Sequence, residues 1–136
     1  MKHILFCFFC FAVALAAAPA AARTPRFPVP LNATDGYGAC STARITNIVG
    51  RGAFASVRSG PSSRQRELGR LTIGRDVYAC VRHGNWFGIL YERRPGERRC
   101  AWVLEPQRRT TNYRGPCGSG WVHYNKLGGY ADFISP

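Results

Sequence analysis

The sequence predicts an all-β fold: a small, strand-rich domain with a disulfide-stapled insertion, preceded by an export signal. Three observations carry this expectation. Turns marked by glycine or proline recur at Val57-Arg58-Ser59-Gly60-Pro61, Gly84-Asn85-Trp86 and Gly120-Trp121-Val122. Between them lie short apolar runs of strand length. No stretch of helical period and useful length follows the first 22 residues.

The chain starts Met1-Lys2-His3, runs apolar from Ile4 to Ala18, and reaches Pro19 and Ala20-Ala21-Ala22 before Arg23. A short positive start, an apolar middle and small residues at a cleavage point are the marks of a secretory signal over residues 1–22. A membrane anchor needs about 20 apolar residues. Here the second half is largely alanine and Pro19 interrupts it, so no membrane anchor is expected once the signal is removed. The expected location is secreted or periplasmic. Removing the signal from the 136-residue chain leaves 114 residues, the size of one domain.

Removal also takes Cys7 and Cys10, leaving Cys40, Cys80, Cys100 and Cys117. An even number of cysteines in an exported chain reads as two disulfides. Cys100 and Cys117 flank an insertion and would pinch its base, which leaves Cys40 for Cys80. The other two connectivities stay open. Cys80-x-x-His83 with Cys100, Cys117 and His123 could supply zinc ligands, but an oxidising compartment favours disulfides, so no metal and no cofactor is expected.

Charge is lopsided. After Lys2 leaves, 18 basic residues face 7 acidic ones for a net charge of +11, and all the basic residues except Lys126 are arginine. The planar guanidinium fork grips carboxylates and phosphates in pairs. The plainer use of such charge is solubility.

Along the chain, residues 23–39 hold three prolines and two glycines without hydrophobic periodicity and read as an extended, loosely held leader. The domain proper is placed at 40–136. Ala43 to Ile48 and Phe54 to Arg58 read as strands separated by Gly50-Arg51-Gly52, and Leu68 to Ile73 as a third, closed by Gly74. Asp76 to Arg82 alternates, with Val77, Ala79 and Val81 on one side and Tyr78, Cys80 and Arg82 on the other. His83-Gly84-Asn85 turns it into Trp86 to Tyr91, making a hairpin. That last strand is apolar on both parities: Phe87, Ile89 and Tyr91 face one way, Trp86 and Leu90 the other. A half-solvated strand is not written so, and the excursion 92–119 is the candidate to cover its second face. An excursion of that length should hold its own strand or be stapled. Gly120 to Leu127 reads as a closing strand, ended by Gly128-Gly129.

Val57-Arg58-Ser59-Gly60-Pro61-Ser62, Leu68-Gly69 followed by Gly74, Gly84-Asn85-Trp86-Phe87, and Gly120-Trp121-Val122 leading to Leu127 resemble the successive signatures of bacterial SH3-like (SH3b) domains over residues 43 to 127. The resemblance implies a strongly bent barrel of about five strands, exported and serving as a binding module for cell-wall peptides or proteins. The insertion 92–119 and the four cysteines depart from the family pattern. Gly60, Pro61, Gly120, Trp86, Trp121 and Val122 are expected mainly to keep the fold, because small barrels need most of their large side chains inside.

Catalysis is not expected. A Cys-His nucleophile requires a free thiol, and four cysteines pair without remainder. Asp35, Glu67, Asp76, Glu92, Glu97, Glu105 and Asp132 are scattered. His83 and His123 sit in a turn and a strand.

Two binding readings follow. In the first, a non-enzymatic SH3b-type module grips a peptide, an exported protein or a cell-wall fragment through Tyr78, Trp86, Tyr91, Trp121 and Tyr124, with Arg58 nearby. In the second, Arg93, Arg94, Arg98, Arg99, Arg108, Arg109 and Arg114 of the insertion meet an acidic polymer, a membrane surface or nucleic acid electrostatically. A purely structural subunit that displays the insertion as its contact is a third possibility.

Overall fold

The computed structural model describes residues 27–129, so the signal segment 1–22 and the first leader residues lie outside the described part. Among the described residues nine strands occur in chain order: β1 (Pro30–Leu31), β2 (Ser41–Ile45), β3 (Ala55–Arg58), β4 (Glu67–Leu71), β5 (Asp76–His83), β6 (Trp86–Tyr91), β7 (Thr111–Asn112), β8 (Gly118–His123) and β9 (Leu127–Gly128). Two 3-10 turns, Ala101–Leu104 and Tyr124–Lys126, complete the elements, and no α-helix occurs among the described residues. The fold is mostly β, with disulfides Cys40–Cys80 and Cys100–Cys117.

Seven strands form one antiparallel sheet in the order β4-β3-β8-β6-β5-β2-β9, and β1 pairs with β7 in a second, two-stranded sheet. The β5–β6 hairpin turns through Gly84 and Asn85, with His83 opposite Trp86 and Gly84 at φ +57°. That positive φ is the region glycine enters without a Cβ clash.

One face of the large sheet carries a single core. Ile45, Val57, Leu71, Val77, Ile89, Val122 and Leu127, one from each of the seven strands, join a single buried cluster with Phe87. A flat sheet of seven strands would be about 29 Å wide at the usual strand spacing and would leave that face to solvent. Val57 and Ile89 are 0 % exposed, and among the described residues the buried members of their cluster all come from the strands of this sheet.

The opposite face carries a second core. Leu90 and Trp121 of the sheet pack with Val29, Leu31, Val103, Tyr113 and both disulfides. The insertion therefore covers the outer side of β6, as the two-sided apolar pattern of that strand requires. It does so with its own strand β7, its 3-10 turn and a disulfide across its base.

Three features differ from the sequence expectation. The leader is not loosely held over its described part: Val29 and Leu31 are buried, and the Tyr113 amide donates to the Val29 carbonyl at 2.8 Å. Further along, Thr34 and Cys40 donate to the carbonyls of Gln107 and Val103, so leader and insertion satisfy each other's backbone groups. Second, the register of β5 against β6 shifts between Ala79 and Val81, so Val81 packs against the outer core and not with Val77 and Ala79. A bulge adds one residue and reverses side-chain parity beyond it. Third, the closing segment is broken by the Tyr124–Lys126 turn, after which β9 leaves β8 and pairs with β2 through Ile45 and Leu127.

Candidate functional site

A cleft of about 630 Å³ lies between the outer surface of β2 and β5 and the insertion. Thr42 and Arg44 project from the exposed parity of β2, Tyr78 from β5, and Glu97, Arg98 and Leu104 face them from the insertion. Arg75 fixes the near end, its Nη2 donating to the Glu92 carbonyl at 2.6 Å. Burial, followed by the nearby Glu92 carboxylate, pushes the Tyr78 phenol above its ordinary value, so it stays protonated and able to donate. Arg44, Arg75 and Arg98 share the cleft with Asp76, Glu92 and Glu97. Charges of both signs beside an aromatic wall suit a ligand that itself carries both.

The six residues expected to form an aromatic platform do not share one groove. Tyr78 lines the mixed-charge cleft. Tyr91, at the same end of the sheet, is a packing residue: its ring occupies the space over Gly118, where any Cβ would collide with it, and its hydroxyl lies over Gly69. Trp121 is 5 % exposed and belongs to the outer core, so its side chain supports the surface from beneath. Arg58 lies across the sheet, opposite Trp121, and donates from Nη1 to the Gln65 carbonyl.

Trp86 and Tyr124 meet at the other end, around the β5–β6 turn. His123 stands between them, its ring 5.3 Å from Trp86 and 4.9 Å from Tyr124. The Arg82 guanidinium lies 5.9 Å from the Tyr124 ring centroid. His83 lies edge-on to Trp121 at 6.5 Å.

All seven insertion arginines are exposed. The two ion pairs among the described residues are Arg44–Asp76 and Arg70–Glu67, so none of the seven is paired with a carboxylate there. They divide among separate surfaces. Arg98 faces the mixed-charge cleft. Arg93, Arg94 and Arg99 line a second cleft of about 420 Å³ over the Cys100–Cys117 disulfide. Arg93 and Arg114 line a third, of about 520 Å³, with Phe27, Tyr113 and Ser119. Arg108 and Arg109 line none of these three clefts.

Sequence reasoning missed Thr42, Arg44, Arg75 and Leu104 as cleft residues. The outward parity of Thr42 and Arg44 was visible in the strand pattern, but which element would face them depended on how the insertion folds back. The cysteines proposed as alternative zinc ligands are oxidised in pairs, and no group of three or more His, Cys, Asp or Glu side chains gathers to hold a metal among the described residues. No helix among the described residues is long and apolar enough to cross a membrane. Compared with known proteins, the chain matches no family model, no curated protein and no solved structure.

Proposed function

We propose that this chain is an exported, non-enzymatic SH3-like binding module for a peptide or peptide-bearing cell-wall ligand, held in the cleft between β2, β5 and the insertion. The observation that carries the reading is the lining of that cleft, which combines Arg44, Arg75 and Arg98 with Asp76, Glu92, Glu97 and Tyr78. A cell-wall peptide, with free amines and carboxylates on a short flexible backbone, complements such a surface better than a uniformly charged polymer does.

The SH3-like reading is supported by an antiparallel sheet whose strands share one core; the sheet has seven strands, two more than the five the resemblance implies. Export is supported by the signal-like start and by two disulfides, which persist in oxidising compartments. A binding role and not catalysis fits the cysteines, both pairs of which are consumed in crosslinks.

Sedimentation with isolated cell-wall material over a salt series tests the proposal. A fraction of binding should persist at moderate salt, because partly desolvated contacts are screened less than surface charge. Tyr78→Ala should remove that fraction, and so should Thr42→Trp, which places bulk at an exposed cleft position without touching the core. Complete release of the unmodified protein by moderate salt would contradict the proposal.

A further inference from the structure

The second and third clefts adjoin, with Arg93 and Cys117 lining both. We propose that this pair of clefts, which form one groove across Arg93, binds a linear chain of phosphate or phosphodiester groups, a ligand separate from the one assigned to the mixed-charge cleft.

Four observations support the assignment. Arginine alone supplies the cations, and its fork of N–H donors matches phosphate oxygens in pairs. Arg93 sits at the junction with its Nε donated to the Pro116 carbonyl at 2.8 Å, which orients the guanidinium and leaves its terminal N–H groups for a ligand. The floor is rigid: the Cys100–Cys117 disulfide closes it, and the Tyr113 hydroxyl accepts the Cys117 amide at 2.8 Å. Finally, acidic residues are confined to one end. Glu92 and Glu97 border the first cleft, with Glu92 already accepting the Cys100 amide at 2.7 Å, and no carboxylate lines the other.

The concave shape of the two adjoining clefts decides between sources of phosphate. A membrane offers head groups in a plane, which a convex or flat cationic face meets best. A single-file chain can enter one cleft and continue into the next, contacting Arg99, Arg94, Arg93 and Arg114 in turn. Among the described residues the Glu97 carboxylate accepts no hydrogen bond, whereas Glu92 accepts the Cys100 amide, and Glu97 opposes such a chain.

Titration of the purified protein with fluorescently labelled inorganic polyphosphate tests the inference. The logarithm of affinity should fall with the logarithm of salt concentration, with a slope of about −0.7 for each phosphate neutralised. Arg94→Gln combined with Arg114→Gln should weaken binding by about tenfold or more and shallow the slope by about 1.4. Arg108→Gln combined with Arg109→Gln removes the same charge from the same insertion outside the groove and should change affinity by less than about twofold. Glu97→Gln should tighten binding, an effect that misfolding cannot produce.

Equal weakening by the two double variants would overturn the groove and leave only general attraction. So would an unchanged affinity in Glu97→Gln, or anionic phosphatidylglycerol vesicles binding as tightly as polyphosphate and displacing it. Because Tyr78→Ala and Thr42→Trp lie in the other cleft, they should leave polyphosphate binding intact, so the two proposals fail independently.

Discussion

The indole Nε1 of Trp121 donates to the backbone carbonyl of Phe27 at 2.9 Å, across 94 positions of sequence. The bond joins strand β8 to the leader, whose Phe27 amide also donates to the carbonyl of Ser59, just past the end of β3. A buried indole needs a partner for its N–H, and here that requirement straps the leader over the outer core.

Trp121→Phe removes the donor and part of the ring while keeping an aromatic side chain. The loss of one hydrogen bond and some packing should lower stability by about 1–3 kcal/mol. Urea unfolding followed by fluorescence of the remaining tryptophans measures this. An unchanged midpoint would show that the strap contributes nothing.

Each disulfide closes a loop in the unfolded chain. Sequence separations of 40 for Cys40–Cys80 and 17 for Cys100–Cys117 correspond to about 4 and about 3 kcal/mol in the chain-entropy account. Thermal melts with and without reductant should therefore separate widely. Superimposed curves would contradict a structural role for the crosslinks.

Much of this arrangement was legible in the sequence because local patterns carried it. The two-sided apolar run from Trp86 to Tyr91 announced a covered strand, and the flanking positions of Cys100 and Cys117 announced the staple. Val81 was misplaced because a bulge leaves no mark in an alternating pattern. The leader was misread because Val29 and Leu31 are too few to show periodicity, and their burial depends on a partner more than 70 residues away. The mixed-charge cleft was not legible for the same reason: Thr42, Tyr78 and Leu104 come from three elements brought together only by the fold.

Gly120 tests the close packing of β8 on β3. A Cβ there would stand 2.5 Å from Val57 Cγ1 and 2.7 Å from the Arg58 carbonyl oxygen, and the backbone atom cannot swing aside. Gly120→Ala should cost about 1–3 kcal/mol through overpacking, read from the denaturant midpoint. A neutral effect would mean that the two strands are looser than the structure places them.

Stability should fall at both ends of the pH scale, for different reasons. Hydrogen bonds from Ser56 and then Arg70, both at 2.6 Å, hold the Glu67 carboxyl below its ordinary 4.5. A carboxyl lowered in the folded state contributes stability above its unfolded value and loses it as pH falls through the folded one. Thermal melts should therefore decline below about pH 4.5, and Glu67→Gln should flatten that decline. Burial raises the Tyr91 phenol above 10.0. A phenol raised in the folded state gives stability that is complete below its unfolded value and is lost as pH rises through the folded one, so melts should also fall in alkali. A flat alkaline limb in Tyr91→Phe, beside a falling one in the unmodified protein, would identify the group.

The most direct test of the proposed binding role is nuclear magnetic resonance of the isotopically labelled protein during titration with a soluble cell-wall peptide. The account predicts saturable shifts at the amides of Thr42, Tyr78, Arg98 and Leu104, with the groups around Trp86 and Tyr124 at the far end of the sheet unmoved. Saturable shifts confined to that far end, or none anywhere at millimolar peptide, would contradict it.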